Sequence, residues 1–472
     1  DGGFAFLPVQ AAAGAATAVV SSDLDGDGDL DLLAGGPGGL VQLDNDGGND
    51  NNWLSLRLRG LTKGNSKNNV LGFGSSVEVR HGRAYQFREA LGDVVHVGLG
   101  SVSAAAVVRV VWTNGVPQNR LDLATNQTIV EEQLLKGSCP FVYAWDGERI
   151  EFVSDLLWGA PMGLPLAPGV WTSADPSELV HLPRARPAGG RYDLRITEEL
   201  WEAAFFDKVR LWIADYPADL EVASNLRVVP NQQLPERVLA TRHLRPLAAA
   251  WDARGREVGT VVAERDEIYA DGWTASPYQG VADSLWSFTL DLGDAPAAPV
   301  RLHLDGWIFP AAASLNLAVA QRDDLGNPPP RLEVETADGW QVLMPSMGFP
   351  AGKTKTMVVD TPALPVGAHK LRIVTGQWLS WDRIRWSLSP ADGEVEVIAR
   401  LEPDSADLGY RGFSRLVRQA PNAPHIFDYA GVTEHSPWLP FPGRYTRFGD
   451  VRELLAEADD RTVVMAPGDE IR

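Results

Sequence analysis

Cysteine is nearly missing from this sequence: Cys139 is the only one in 472 residues. No internal disulfide can form and no thiolate metal cluster can be built. In Ser138-Cys139-Pro140-Phe141 the lone thiol reads as a small buried residue rather than a nucleophile. Long hydrophobic runs are missing too, with no apolar stretch reaching the roughly 18 residues of a membrane helix. Positive charge is scarce: 42 Lys and Arg stand against 62 Asp and Glu, a net charge of −20. That balance argues against nucleic acids and anionic membrane surfaces as partners and favours cations. Recognisable catalytic signatures are absent, with no H-E-x-x-H, no G-x-S-x-G, no Walker loop and no G-x-G-x-x-G. The eight histidines (His81, His96, His181, His243, His303, His369, His425 and His435) have no partners at ligand spacing. The adjacent pairs Glu198-Glu199 and Asp459-Asp460 read as solvated rather than facing carboxylates. No enzyme is expected; a hydrolase site assembled across distant strands is the least favoured alternative.

What is present begins with Asp23-Leu24-Asp25-Gly26-Asp27-Gly28-Asp29-Leu30-Asp31. Carboxylates at alternate positions repel one another unless a cation sits among them. Calcium, which takes six to eight hard oxygens, suits such a set. The spacing follows the first half of an EF-hand loop, with side chains at positions 1, 3 and 5. Position 12, where an EF-hand has a bidentate Glu, is Ala34 here, so Asp31 is expected to close the cage. Asp23, Asp25, Asp27 and Asp31 would supply side chains and Asp29 a main-chain carbonyl. The flanks, Ala18-Val19-Val20 and Leu30-Asp31-Leu32-Leu33, read as short strands rather than helices. Loops of this kind load at the millimolar calcium found outside the cytosol, so an extracellular, cell-surface or periplasmic location is expected. No secretory signal is visible.

With 46 Gly and 33 Pro, the remainder is mostly short alternating runs broken by turn residues, the pattern of all-β sandwiches. In Trp53-Leu54-Ser55-Leu56-Arg57-Leu58-Arg59-Gly60 the leucines face one side, giving a half-buried strand. Val77 to Arg80, Val94 to Leu99 and Val107 to Trp112 follow, with a polar loop over Lys63 to Asn69. Cys139 to Val153 reads as a hairpin turning at Asp146-Gly147. Strands are expected at Tyr192 to Ile196 and Val209 to Ile213, a short helix or bulged strand at Trp201 to Phe206, and a long ordered loop from Leu157 to Ser177. From Val300 a further set (Val300 to Leu304, Leu315 to Val319, Arg331 to Glu335, Thr356 to Val359, His369 to Val374, Ile384 to Leu388) implies a jelly roll. One helix is expected after Asp450, with Glu453 completing a capping box and Val451, Leu454, Leu455 and Ala458 buried. Asn126-Gln127-Thr128 is a glycosylation sequon of the kind a long chain carries by chance.

The acidic loop, preceded by Gly2-Gly3-Phe4 and followed by Leu33-Ala34-Gly35-Gly36, resembles the FG-GAP/VCBS repeat, the blade unit of integrin-like β-propellers. Because only one full copy occurs and Asp1 opens in mid-pattern, the chain is expected to begin inside the last blade of a longer propeller; Asp44-Asn45-Asp46-Gly47-Gly48 reads as a linker. The segments that follow, N-N-W-L-x-L-x-L-x-G at Asn51, G-x-G-S-x-V-x-V at Gly72, V-x-V-G-L-G at Val95 and V-x-V-x-W-x-N-G at Val108, resemble the ASPIC/UnbV module. That module follows FG-GAP/VCBS repeats in bacterial surface proteins and in the cartilage acidic protein family. The departures are Leu71-Gly72-Phe73-Gly74 for I-G-A-R and Trp112-Thr113-Asn114-Gly115 for W-P-S-G. The resemblance covers residues 1 to 135 and implies an adhesion or scaffolding role without established catalytic residues.

The expected organisation is an all-β chain: a propeller-blade fragment (1–50), an ASPIC/UnbV sandwich (51–135), a β-rich domain (136–295), a galactose-binding-like jelly roll (296–390) and a C-terminal β segment (391–472) that stops without a natural ending. The expected function is a calcium-stabilised scaffold or adhesion protein with a protein partner. The alternative is carbohydrate binding through the jelly roll. Among the sixteen Trp, Trp340, Trp378 and Trp381 are the candidates for stacking on sugar rings, whereas Trp112, Trp145 and Trp212 read as core.

Overall fold

The computed structural model describes residues 16–46, 50–60, 68–134, 139–158, 165–167, 170–172, 175–230, 232–276, 278–294, 297–311, 313–322, 327–417, 420, 422–438 and 442–472. The protein is nearly all β, in many small sheets. Gly2 to Phe4, Gly47-Gly48, Lys63 to Lys67 and most of 159–174 lie outside the described residues. The chain divides into two compact units, the second beginning at Leu135.

The first unit opens with an antiparallel meander of β1 (Ala18–Ser22), β2 (Asp31–Gly36) and β3 (Gly39–Leu43). The Ser22↔Asp31 pairing closes the acidic loop at its base. Two further sheets follow. One pairs β4 (Asn52–Arg59) antiparallel with β7 (Val95–Gly100) and parallel with β10 (Gln127–Glu132). The other runs in the order β6 (Ala84–Glu89), β5 (Ser76–His81), β8 (Ala104–Val111), β9 (Pro117–Ala124). Alternation dictates the core: Leu54, Leu56 and Leu58 from β4 meet Val77 and Val79 from β5, Val97 and Leu99 from β7, Val108 and Val110 from β8, and Trp112. Ser55, on the opposite face of β4, is nevertheless buried, and its hydroxyl lies 3.0 Å from His96 Nδ1.

The second unit is built around a two-sheet antiparallel sandwich. One sheet has the order Arg245–Pro246, Leu379–Ser387, Arg301–Ile308, Lys355–Asp360; the other Ala249–Trp251, Val281–Asp291, Lys370–Gln377, Arg331–Thr336, Gly339–Met344. Arg301–Ile308 is buried at every position. Phe288, Leu290, Leu302, Leu304, Met357, Leu371 and Trp386 join the two sheets in one core.

Strand pairing does not follow the boundaries expected at 295/296 and 390/391. The sandwich recruits Ala249–Trp251 and Val281–Asp291 from before residue 296. A six-stranded sheet combines Phe141–Trp145, Ile150–Asp155 and Leu194–Thr197 with Asp407–Tyr410, Gly449–Asp450 and Asp469–Ile471. The C-terminal residues are central to that sheet, with Ile471 paired to both Ile196 and Leu408.

Three local expectations change. Leu315 to Val319 is not a strand but part of the one α-helix among the described residues, Ala313–Ala320; its Ala and Leu content favours helix, and Leu315, Asn316 and Val319 share a buried face. The expected C-terminal helix is a single 3-10 turn, Arg452–Leu455. Asp450 does accept the Arg452 N–H at 2.9 Å, but Glu453 pairs with Arg461 instead of completing a capping box. The hairpin after Trp145 turns over Asp146 to Arg149, with the Asp146 carboxylate accepting the N–H groups of Glu148 and Arg149, each at 2.8 Å. Trp201 to Phe206 resolves as a short strand, Ala204–Phe206.

Candidate metal centre at the acidic loop

The loop between β1 and β2 is folded by its own carboxylates. Asp23 Oδ1 accepts the Gly26 N–H at 2.7 Å and Asp23 Oδ2 the Gly28 N–H at 3.2 Å. Asp25 Oδ1 accepts from Asp27 and Asp27 Oδ1 from Asp29. Each side chain thus bends the backbone around itself, which Gly26 (φ 82°) and Gly28 (φ 96°) permit. Carboxylate oxygens of Asp23, Asp25 and Asp27 then lie within 4.8 Å of one another.

The five aspartates do not play equal parts. Asp31 is buried, and its two oxygens accept the N–H groups of Leu24 (2.8 Å) and Asn45 (2.9 Å). Those backbone bonds hold its carboxyl below the ordinary carboxylate range. Asp31 therefore anchors the loop to Asn45, two residues past β3, and each oxygen keeps a second lone pair. Asp29 is buried as well, and its N–H is spent on Asp27. At Asp25 a hydrogen bond from Asp27 pulls the pKa down, but desolvation and the charges of Asp27, Asp31 and Asp23 outweigh it and push the group up. The group that could hold a metal is thus Asp23, Asp25 and Asp27, and an all-carboxylate donor set fits a hard cation.

The loop also rests on residues that the sequence did not single out. A Cβ on Gly28 would come within 1.8 Å of Trp53 Nε1, so the glycine is the seat of the indole. Trp53 in turn stacks on His96 with ring centroids 5.8 Å apart. Burial lowers the His96 pKa, while the charges of Asp23 and Asp29 oppose that fall. The sequence signal was the Asn52-Trp53 start of β4, read there only as a strand.

The other candidates fare differently. Trp378 and Trp381 are each 1% exposed, Trp378 stacked on Trp273 at 4.4 Å, so neither offers a face to a sugar. Both sit where two sheets close over each other, and core packing decides their place. Trp340 is half-buried beneath the Arg372 guanidinium, 4.4 Å from its centroid. Trp112 is core as expected, whereas Trp145 and Trp212 are only half-buried. Glu198 and Glu199 are not solvated but buried; desolvation pushes Glu198 well up, aided by the charge of Glu202. Glu199 accepts from the Tyr143 hydroxyl at 2.9 Å and the Ser414 hydroxyl at 2.8 Å, an internal brace between distant segments. Asn126 donates to Asn52 and accepts from the Trp53 N–H, so both ends of the sequon amide are engaged. Among the described residues no histidine joins a metal-competent group, and no helix is long and apolar enough to cross a membrane. Comparison of the chain with protein families, curated proteins and solved structures finds no match.

Proposed function

We propose that this chain is a non-catalytic, calcium-stabilised scaffold of the FG-GAP/ASPIC kind, working outside the cytosol and assembling with a protein partner. The observation that carries the reading is the convergence of three carboxylates within 4.8 Å in a loop whose fourth acid, Asp31, is tied to the backbone. Asp23, Asp25 and Asp27 would hold the cation, and Asp31 and Gly28 keep the loop in shape. When bound, calcium supplies charge neutralisation among groups that otherwise repel one another.

The meander beside the loop supports the assembly part of the reading. Its register sets Val19, Leu32 and Val41 on one face and Val20 and Leu40 on the other. Val19 is 56%, Val20 59% and Leu40 74% exposed, so both faces present branched apolar side chains to solvent. A sheet that is apolar and open on both sides is suited to burial against neighbours.

Calorimetric titration of the full chain with calcium tests the proposal. Binding at micromolar to millimolar calcium is expected, with a rise in melting temperature that a chelator reverses. The Asp23→Asn/Asp25→Asn/Asp27→Asn variant should neither bind nor respond. A wild-type melting temperature unmoved by chelator removes the metal assignment.

A further inference from the structure

Away from the acidic loop, a groove of about 370 Å³ opens beside the two-stranded ribbon of Leu211–Asp215 and Glu396–Leu401. That size lies in the range of small-ligand sites, roughly 300 Å³ and upward. Its walls include Trp212 and Arg400, directly paired across the ribbon, and Glu236, Arg237 and Asp392. Val238, Val395 and Val397 supply an apolar lining.

Charge sets this groove apart in a chain of net −20. Arg237 and Arg400 are both exposed, and among the described residues neither is in an ion pair. Arg400 is held by Trp212 instead, its guanidinium carbon 4.5 Å from the ring centroid, an arrangement that fixes the planar fork without spending its hydrogen-bond donors. Asp392 feels the charge of Arg237 but is not in an ion pair with it. Its two oxygens accept from the buried Arg301 at 2.5 and 3.1 Å, and Oδ1 also takes the Ala240 N–H at 2.8 Å. Glu236 is exposed and likewise outside any ion pair among the described residues. The groove therefore offers two guanidiniums, one uncommitted carboxylate and an apolar wall.

We propose that this groove binds a carboxylate carried on a six-membered ring, namely a uronate residue of an acidic glycan. Arg237 and Arg400 grip the ligand carboxylate, for which the guanidinium fork is matched in shape and charge. Glu236 accepts from ring hydroxyls, and the valines cover the C–H face. The site is independent of the metal reading, and it lies outside the sandwich whose Trp378 and Trp381 are closed.

The test is saturation-transfer NMR and calorimetry on the full chain with D-galacturonate, D-galactose and benzoate. Chelator is present throughout, because uronates bind calcium themselves. Millimolar binding of galacturonate is expected, with galactose and benzoate each about tenfold weaker or more. Arg237→Ala/Arg400→Ala should abolish binding. Arg400→Lys should weaken it several-fold by giving up the stacked planar fork. Both residues are on the surface, so the melting temperature checks that folding is kept. The proposal is overturned if galactose binds as well as galacturonate, if benzoate does so, if the double variant binds unchanged, or if galacturonate shows no binding at about 10 mM, a free energy too small to matter.

Discussion

Asp382→Asn should stabilise the second unit at neutral pH. Asp382 sits in the strand Leu379–Ser387 with its side chain 0% exposed. Oδ1 accepts the N–H groups of Asp266 at 3.1 Å and Glu267 at 3.0 Å, while Oδ2 has no hydrogen-bond partner among the described residues. Desolvation is the leading cause that pushes this carboxyl up, from an ordinary 3.8 to about 6; the two backbone bonds resist, and the charges of Asp305 and Asp266 add to the rise. The folded protein thus keeps a proton that the unfolded chain releases, so this group's contribution falls as pH rises from about 4 to about 6. Above that window the deficit is complete, roughly 3 kcal/mol at 1.36 kcal/mol for each pH unit between the two values. Asparagine keeps the Oδ1 acceptor and removes the ionisation. Scanning calorimetry at about pH 7.5 should show the variant melting higher, on the order of 5 °C, with the gap closing toward pH 4. His303 runs the other way: burial lowers it to about 4, so its contribution is lost as pH falls from the ordinary 6.5. That loss is common to both proteins and cancels in the difference between them. A variant that is less stable at pH 7.5, or a gap independent of pH, refutes the reasoning.

Gly28→Ala must accept both a φ of 96° and a Cβ 1.8 Å from Trp53 Nε1. It should cost about 2 kcal/mol or more and weaken calcium binding, read by chelator-dependent melting. Asp155→Ala would strand the buried Lys355 ammonium and remove the acceptor of the Lys353 N–H. A loss of about 3–5 kcal/mol is expected in denaturant unfolding, while Asp155→Leu/Lys355→Met should recover most of it. Leu56→Ala should cost about 2–5 kcal/mol and Arg57→Ala less than about 0.5 kcal/mol, because Leu56 is core and the neighbouring Arg57 is exposed. Equal effects at the two positions would mean that the β4 register is wrong.

Those strands whose alternation carries their burial were legible. Leu54, Leu56 and Leu58 announce a one-sided strand because each apolar residue lies two positions from the next, and the sheet needs nothing else to orient them. The acidic loop was legible for the same reason, since its hydrogen bonds span five residues or fewer, apart from Asp31. The limit near residue 135 was legible, but those expected inside the second unit were not, because Ile196 pairs with Ile471 and no local pattern records a partner so far along the chain. The tryptophans failed in both directions. In Trp378-Leu379-Ser380-Trp381-Asp382 the two indoles read as lying in a loop or at a strand end, yet the sheet closing over them makes them core. Trp212 sits in an alternating strand and reads as core, yet its ribbon has only two strands and leaves it beside an open groove. Burial of a large side chain is set by how many layers cover it, which is a property of the assembled sheets.

The same reasoning singles out the acidic loop among the many acids of this chain. Several of the carboxylates buried or half-buried in the second unit are held by arginines. Asp305 receives Arg265 and Arg383, Glu333 receives Arg331 and Arg372, Asp392 receives Arg301, and Arg411 sits between Glu199 and Glu470. In each case guanidinium groups from elsewhere in the sequence offset the desolvation of the acid and at the same time pin distant strands together. Asp305 accordingly stays below its ordinary pKa despite burial, which alone would raise it, because Arg265 and Arg383 outweigh the loss of water. At the loop the arrangement differs: the hydrogen bonds to Asp23 and Asp25 come from backbone N–H groups of the loop itself, and Asp25 is pushed up by desolvation together with the charges of the neighbouring acids. Backbone dipoles can shape such a loop but cannot balance several whole charges, whereas a divalent cation can. Supplying Arg in place of the cation gives the corresponding check. Leu24→Arg, at an exposed position inside the loop, should raise the melting temperature in chelator and shrink the further gain from calcium; an unchanged calcium response would mean that charge crowding is not what the ion relieves.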